Sequence, residues 1–171
     1  LHAIGDFERI GDHAVNVLRV AHEIHDKELH FSAKAQEEIA VITRAILDIM
    51  SLTVDAFAAN DEALAAKVEP LEQVIDGLKL ELKNRHIRRL QEGRCTIELG
   101  FVLTDLLTNY ERVSDHCSNI AVTVIQVKDP VLDTHGYLNE VKTAGDPVFT
   151  QAYAAYTQEY LLPASSAAQQ G

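Results

Sequence analysis

Apolar side chains recur at alternating steps of three and four residues through most of the first 128 positions, which is the spacing of one face of an α-helix. Four helices are predicted: A over about residues 1–28, B over about 33–60, C over about 61–90 and D over about 94–128. The predicted packing face of helix A comprises Ile4, Phe7, Ile10, Ala14, Val17, Leu18 and Ala21. Because short connections favour antiparallel neighbours, the pattern predicts an all-α antiparallel bundle of B, C and D, with A as a fourth member.

Residues with capping or helix-breaking behaviour set the predicted helix ends. Ser32 is a plausible N-cap for helix B, Asp61 caps helix C, and Gly93 is a typical residue just after a helix end. Pro70 lies inside helix C and removes one backbone hydrogen bond, so a kink is predicted near residues 66–70.

Composition and charge narrow the class of protein. Aromatic residues make up 6% of the chain and Trp is absent, which is typical of an all-α protein. The formal net charge is −11, which argues against a nucleic-acid partner and, weakly, against direct binding to anionic lipid. No apolar run is long enough to cross a membrane. The chain opens at Leu1 directly in a helical pattern, so we interpret it as a fragment of a longer protein.

The two cysteines, Cys95 and Cys117, fall on predicted helix D. At a rise of about 1.5 Å per residue they lie roughly 33 Å apart, too far for a disulfide. Two unpaired thiols fit a reducing compartment.

One short phrase occurs twice in the chain. Residues 6–13, Asp-Phe-Glu-Arg-Ile-Gly-Asp-His, return about 103 positions later as residues 109–116, Asn-Tyr-Glu-Arg-Val-Ser-Asp-His. Each copy places two carboxylates four residues apart, so that they share one helix face. The two pairs are Glu8 with Asp12 and Glu111 with Asp115.

A third pair with the same spacing, Glu72 and Asp76, lies on helix C. If helices C and D are antiparallel, this pair and the pair Glu111 and Asp115 converge to within about one helical turn. Four carboxylates at one place repel one another and need basic neighbours, partial protonation or a cation. Lys79 is the nearest basic residue, and a hard cation with oxygen ligands would relieve the repulsion more completely.

Alternatives to a metal site remain open on the residues alone. Any single pair is also typical of a solvated helix edge with local ion pairs. A carboxylate-bridged metalloenzyme is a second hypothesis, and a metal-free structural or interaction bundle is a third. No Ser/His/Asp or Cys/His nucleophile constellation is visible, and His116 lies off the acidic face, so we do not expect an enzyme.

The paired motifs resemble the PhoU family. The phrase Glu-Arg-Ile/Val-Gly/Ser-Asp appears at residues 8–12 and 111–115, and the middle-helix Glu-x-x-x-Asp at 72–76. The stretches 86–95 and 115–121 are similar to the C-terminal PhoU-like domain of bacterial sodium/phosphate cotransporters. The resemblance implies three-helix repeats whose paired acids hold a metal ion cluster of iron, zinc or another divalent cation.

The resemblance also implies a division of the chain. Residues 1–30 would be the last helix of a truncated first PhoU repeat, 31–129 a complete repeat, and 130–171 a partly disordered tail containing a short helix near Tyr153, Tyr156 and Tyr160. The last eight residues, from Ala164, are expected to be disordered. The intact candidate metal site is then Glu72, Asp76, Glu111 and Asp115, whereas Glu8 and Asp12 would lack their own middle-helix partner.

The function that this resemblance implies is regulatory. We expect a domain on the cytoplasmic side of the cell membrane that modulates a sodium/phosphate cotransporter. Its partner would be the membrane transporter moiety of the same chain or a separate phosphate-transport protein. A homodimer is also expected to be possible, because helix A presents an apolar stripe without bundle mates.

Overall fold

The computed structural model describes residues 2–128 and 146–164. Helices account for nearly all of these residues, and no strand occurs among them. In chain order they are α1 (His2–Asp26), α2 (Ala33–Ala59), α3 (Glu62–Ala65), α4 (Val68–Gln91), α5 (Ile97–Lys128) and α6 (Pro147–Glu159). The all-α prediction is confirmed. Residues 130–145 and 165–171 of the predicted tail lie outside the described residues. The expected disorder there stays a prediction.

Helix ends in the first half of the chain follow the predicted caps. The Ser32 hydroxyl accepts a hydrogen bond from the Ala35 amide at 3.2 Å, which starts α2. Asn60 ends α2 in the left-handed conformation, with φ of 50°. The Asp61 carboxylate then accepts from the amides of Ala63 and Leu64 and starts α3. These side chains satisfy backbone groups that the helix itself leaves unpaired.

Predicted helix C is two helices in the structure. The short α3 ends at Ala65 and α4 begins at Val68, so the expected kink at 66–70 is a full break. Pro70 falls in the first turn of α4, where a missing backbone N–H costs no helical hydrogen bond. The proline therefore marks a helix start, which the prediction of a continuous kinked helix missed.

Helix α4 ends where expected, but α5 starts later than predicted. Gly93 adopts φ of 67°, and the Arg94 amide donates to the Arg89 carbonyl at 2.8 Å. Helix α5 begins at Ile97 instead of Arg94, because the Thr96 hydroxyl accepts from the Leu99 amide and acts as the cap. Cys95 consequently lies in the turn, whereas Cys117 is buried in α5, and both thiols are free.

The core lies between α2, α4 and α5, and α1 packs along α5. Helix α6 packs on α4, and the Tyr160 hydroxyl donates to the Asp48 carboxylate on α2 at 2.6 Å. None of the described helices combines the length and apolar character needed to span a bilayer. The largest fully buried apolar side chains are Ile42, Ile49, Leu71, Ile75, Leu82, Leu107 and Ile120.

The packing face of α1 was predicted only in part. Ile10 is buried and Phe7 and Val17 pack against the core, as expected. Ile4 and Leu18, however, are 68% and 56% exposed, and Ala14 and Ala21 are also exposed. The contact face is narrower because α1 packs chiefly on one helix, α5, and it includes Ala3 and Val20, which the prediction omitted.

Candidate metal centre

Carboxylates of α4 and α5 meet at one seam around Lys79. The Lys79 ammonium lies 3.6 Å from Oδ1 of Asp76 and forms an ion pair with Glu111 on the facing helix. The register of the two helices is held a few turns away, where the Ser118 hydroxyl donates to the carboxylate of Glu69, both residues being buried. Antiparallel packing of α4 on α5 therefore brings Asp76 near Glu111 and Asp115, while the convergence of Glu72 with them stays a prediction.

The seam concentrates negative charge. Burial raises the pKa of the Asp115 carboxyl above its ordinary value, and the charges of Glu111 and Asp76 raise it further. Arg112, 3.7 Å from Asp115, opposes this effect. Burial lowers the pKa of Lys79, but its hydrogen bond to Glu111 and the nearby carboxylate charges outweigh burial, so its pKa is raised overall. These directions are those expected for like charges gathered around one cation.

Asp76 carries an unsatisfied atom. Its Oδ1 is enclosed and has no hydrogen-bond partner, although the Lys79 ammonium stands at 3.6 Å. Glu72 is buried one turn earlier and accepts a hydrogen bond from Nε2 of the Gln73 side chain at 3.0 Å. An enclosed carboxylate oxygen without a donor is the kind of ligand that a hard cation prefers.

The side chains as they stand do not enclose a metal ion. In residues 2–128 and 146–164, no group of three or more His, Cys, Asp and Glu side chains has an arrangement that could hold one. Lys79 supplies positive charge to the seam instead. Metal binding at Glu72, Asp76, Glu111 and Asp115 therefore stays a prediction.

The first acidic pair lies apart from this seam. Glu8 and Asp12 are exposed on α1. Within residues 2–128 and 146–164 they join no group of three or more metal-ligating side chains that could hold an ion, and metal binding by this pair stays a prediction.

The repeated phrase also has a structural role, which its acidic residues did not predict. Nδ1 of His13 in the first copy donates to the side-chain oxygen Oδ1 of Asn109 at 2.9 Å, and Nδ1 of His116 in the second donates to the Asp6 carboxylate at 2.8 Å. The two imidazoles stack between these contacts, with ring centroids 5.8 Å apart. The first position of each copy thus contacts the eighth position of the other, and the repeat builds a pseudo-twofold α1–α5 interface. The signal was present in the sequence as matched positions.

Sequence comparison places the chain among known proteins. The profile of the PhoU domain matches residues 39–124, which is half of the chain and takes in the whole α4–α5 seam. The phosphate-specific transport system accessory protein PhoU homolog 1 of Thermotoga maritima is 26% identical over 123 residues. That alignment covers 72% of this chain and 52% of the relative, so the chain spans about half the length of the relative. No solved structure matches significantly. The chain belongs to the PhoU domain family.

Proposed function

We propose that this chain is a regulatory domain of phosphate transport whose α4–α5 seam binds a metal ion cluster. The observation that carries the proposal is the meeting of Asp76, Glu111 and Asp115 at one place, with an enclosed Asp76 oxygen that lacks a hydrogen-bond partner. The PhoU domain match and the printed role of the Thermotoga relative in a phosphate transport system support the regulatory role.

The residues that would hold the metal are those three carboxylates together with Glu72. An all-oxygen donor set suits a hard divalent cation, and the resemblance to the PhoU family implies iron, zinc or another divalent ion. A bound cation would cancel the repulsion at the seam and join α4 to α5, so Lys79 must release Glu111 when the metal enters. Glu8 and Asp12 would add at most a separate site on α1.

We further propose a partner in the membrane. The resemblance of residues 86–95 to cotransporter-linked PhoU domains supports a sodium/phosphate cotransporter, as part of the same chain or as a separate protein. The domain would then act on the cytoplasmic side of the membrane and without catalysis of its own. Metal occupancy would bias which surface of the bundle meets the transporter.

Metal analysis tests the proposal directly. The protein would be purified without chelator and its metal content measured by mass spectrometry, beside the double variant Glu111→Gln with Asp115→Asn. Bound metal in the wild type and its loss in this variant are expected. The double variant Glu98→Gln with Asp105→Asn changes the same charge on the same helix and should keep its metal. Equal metal content in all three proteins would show that the metal is not bound at the α4–α5 seam.

A metal-free interaction bundle is the second candidate. It is favoured by Lys79, whose ammonium already compensates Asp76 and Glu111. Two results would favour the metal-free bundle over the metal site. The wild-type protein would contain no metal, and its thermal unfolding would not change on addition of manganese or zinc.

A further inference from the structure

The end of the α4–α5 hairpin is basic in an otherwise acidic chain. Residues 83–97 contain one acidic side chain, Glu92, whereas the whole chain carries a net charge of −11. Arg85 and Arg89 are held by buried Glu38. The basic residues of this stretch are Lys83, Arg85, Arg88, Arg89 and Arg94.

The same end exposes large apolar side chains. A groove of about 310 Å³ between α4 and α5 is lined by Ile87, Leu90, Ile97 and Phe101, and Lys83 also lines it. The four apolar residues are 51%, 36%, 64% and 69% exposed, respectively. Large exposed apolar side chains that line one groove are a feature of interaction surfaces.

We propose that this surface docks on an anionic lipid bilayer. The hairpin patch is defined as the four apolar residues of the groove with Lys83, Arg88 and Arg94. Aliphatic and aromatic side chains can enter the headgroup region, while basic side chains beside them meet lipid phosphates. Arg94 also pairs with Glu92, and Glu98 nearby is paired with Lys27, the residue after α1, so the local charge stays positive.

The net charge of the chain does not oppose this docking. Electrostatic attraction to a membrane falls off within a Debye length, about 8 Å at physiological ionic strength. Acidic surface farther from the bilayer than this is screened. A local basic patch can therefore bind where the average charge of the chain predicts repulsion.

A second copy of the chain fits the hairpin patch less well. A twofold pairing through the patch would bring the basic side chains of two identical patches into one interface, where like charges repel. The bilayer supplies the opposite charge and an apolar phase together. The inference goes beyond the proposed function and does not depend on metal, because none of the seam carboxylates belongs to the patch.

Vesicle co-sedimentation tests the proposal. The full chain would be mixed with vesicles of phosphatidylcholine alone and of phosphatidylcholine with phosphatidylglycerol. We expect binding only to the second kind, weakened by added salt. The variants Ile97→Ser with Phe101→Ser, and Lys83→Gln with Arg88→Gln, should each lower the partition coefficient about tenfold or more.

Matched controls separate the patch from general surface effects. Leu47→Ser with Val54→Ser removes two exposed apolar residues from α2, and Arg9→Gln with Arg19→Gln removes two charges from α1. Both should bind like the wild type, and circular dichroism checks the fold of every variant.

Three results would each overturn the proposal. They are no binding to phosphatidylglycerol vesicles, equal binding by patch and control variants, and a wild-type dimer in light scattering that Ile97→Ser with Phe101→Ser dissociates. The last result would assign the patch to a second copy. An acidic partner helix would be indicated if the wild type ignored vesicles but bound an amphipathic peptide with glutamate flanks and not its lysine-flanked counterpart.

Discussion

The ammonium nitrogen of Lys79 lies 3.6 Å from Oδ1 of Asp76 and pairs across the helix seam with Glu111. One side chain thus neutralises acids from two helices. This places Lys79 in competition with any metal that uses the same carboxylates, and the competition can be measured.

Replacing Lys79 with methionine should strengthen metal binding and weaken the metal-free fold. Hydrogen bonds to charged groups contribute about 1.5–3 kcal/mol each, so we expect about tenfold tighter binding of manganese or zinc in calorimetry. Without metal, the free energy of unfolding measured in urea should fall by an amount of the same order, because Asp76 and Glu111 lose their counter-charge.

Lys83→Met, one turn farther along α4, serves as the control and should leave metal affinity unchanged. Weaker metal binding by Lys79→Met would contradict the competition and would make Lys79 a support of the site instead.

Glu38 is the acid on which two arginines depend. It is 1% exposed, and Arg85 and Arg89 contact its two oxygens at 3.0 and 2.8 Å. Substitution by glutamine leaves the mostly buried Arg89 without its carboxylate and leaves Arg85 with Glu81 alone, so the free energy of unfolding should fall by about 3–5 kcal/mol. Glu37→Gln, at the exposed neighbouring position, should change it by less than about 0.5 kcal/mol in the same urea titration.

Gly100 leaves room for a buried histidine. A Cβ atom at this position would lie 2.9 Å from Nε2 of His86. This clash should lower the free energy of unfolding of Gly100→Ala by about 1–3 kcal/mol. The higher helix propensity of alanine offsets part of that loss. In a His86→Ser background the same change should become stabilising by about 1 kcal/mol. Gly77→Ala, where nothing lies within 4 Å, should stabilise in both backgrounds, and equal effects at the two glycines would exclude the clash.

His86 should also make the fold sensitive to mild acid. Burial, and then the charge of Arg89, lower its pKa below the ordinary value. Between that lowered pKa and about 6.5, the unfolded chain binds more protons than the folded one, so stability falls as the pH falls through this window. Above about 6.5 the contribution is fully present. His86→Gln should flatten the pH profile of urea unfolding, whereas exposed His22→Gln should not.

The two thiols should differ in reactivity. Burial raises the pKa of Cys117 to about 11, and a thiol reacts as its thiolate. Cys95 lies in the partly exposed α4–α5 turn, although burial raises its pKa also. A chromogenic disulfide reagent should therefore titrate Cys95 first and Cys117 only after unfolding. Rapid reaction of two thiols in native protein, or of any thiol in Cys95→Ser, would be contrary to this placement.

Local chemistry made most helix ends predictable. Ser32, Asp61 and Gly93 act within a few residues of their own positions, and each caps or ends a helix as expected. The break before Pro70 was not predicted, because a proline in a periodic apolar stretch is compatible with a kink and with a new helix alike. Register across the seam was predictable because a short turn joins α4 to α5.

Burial depended on neighbours that periodicity does not reveal. Glu38 lies in an early turn of α2, but Arg85 and Arg89, more than forty positions away, make it a buried ion-pair centre. Likewise Ile4 and Leu18 share the apolar pattern of α1 yet face outward. Residue spacing shows which positions share a face, whereas the packed partner decides whether that face is covered.

The reciprocal contact between the two copies of the repeated phrase has a consequence for how such a chain could arise. One rule, in which a side chain at the first position accepts from a histidine at the eighth, is satisfied twice across a single interface. A half-length ancestral chain with that rule could pair with a second copy of itself, because each copy supplies the complementary contact. Once the two copies were joined in one chain, each could change in sequence, as Asp6 and Asn109 differ now. The stacked histidines at the centre would keep the two helices in contact.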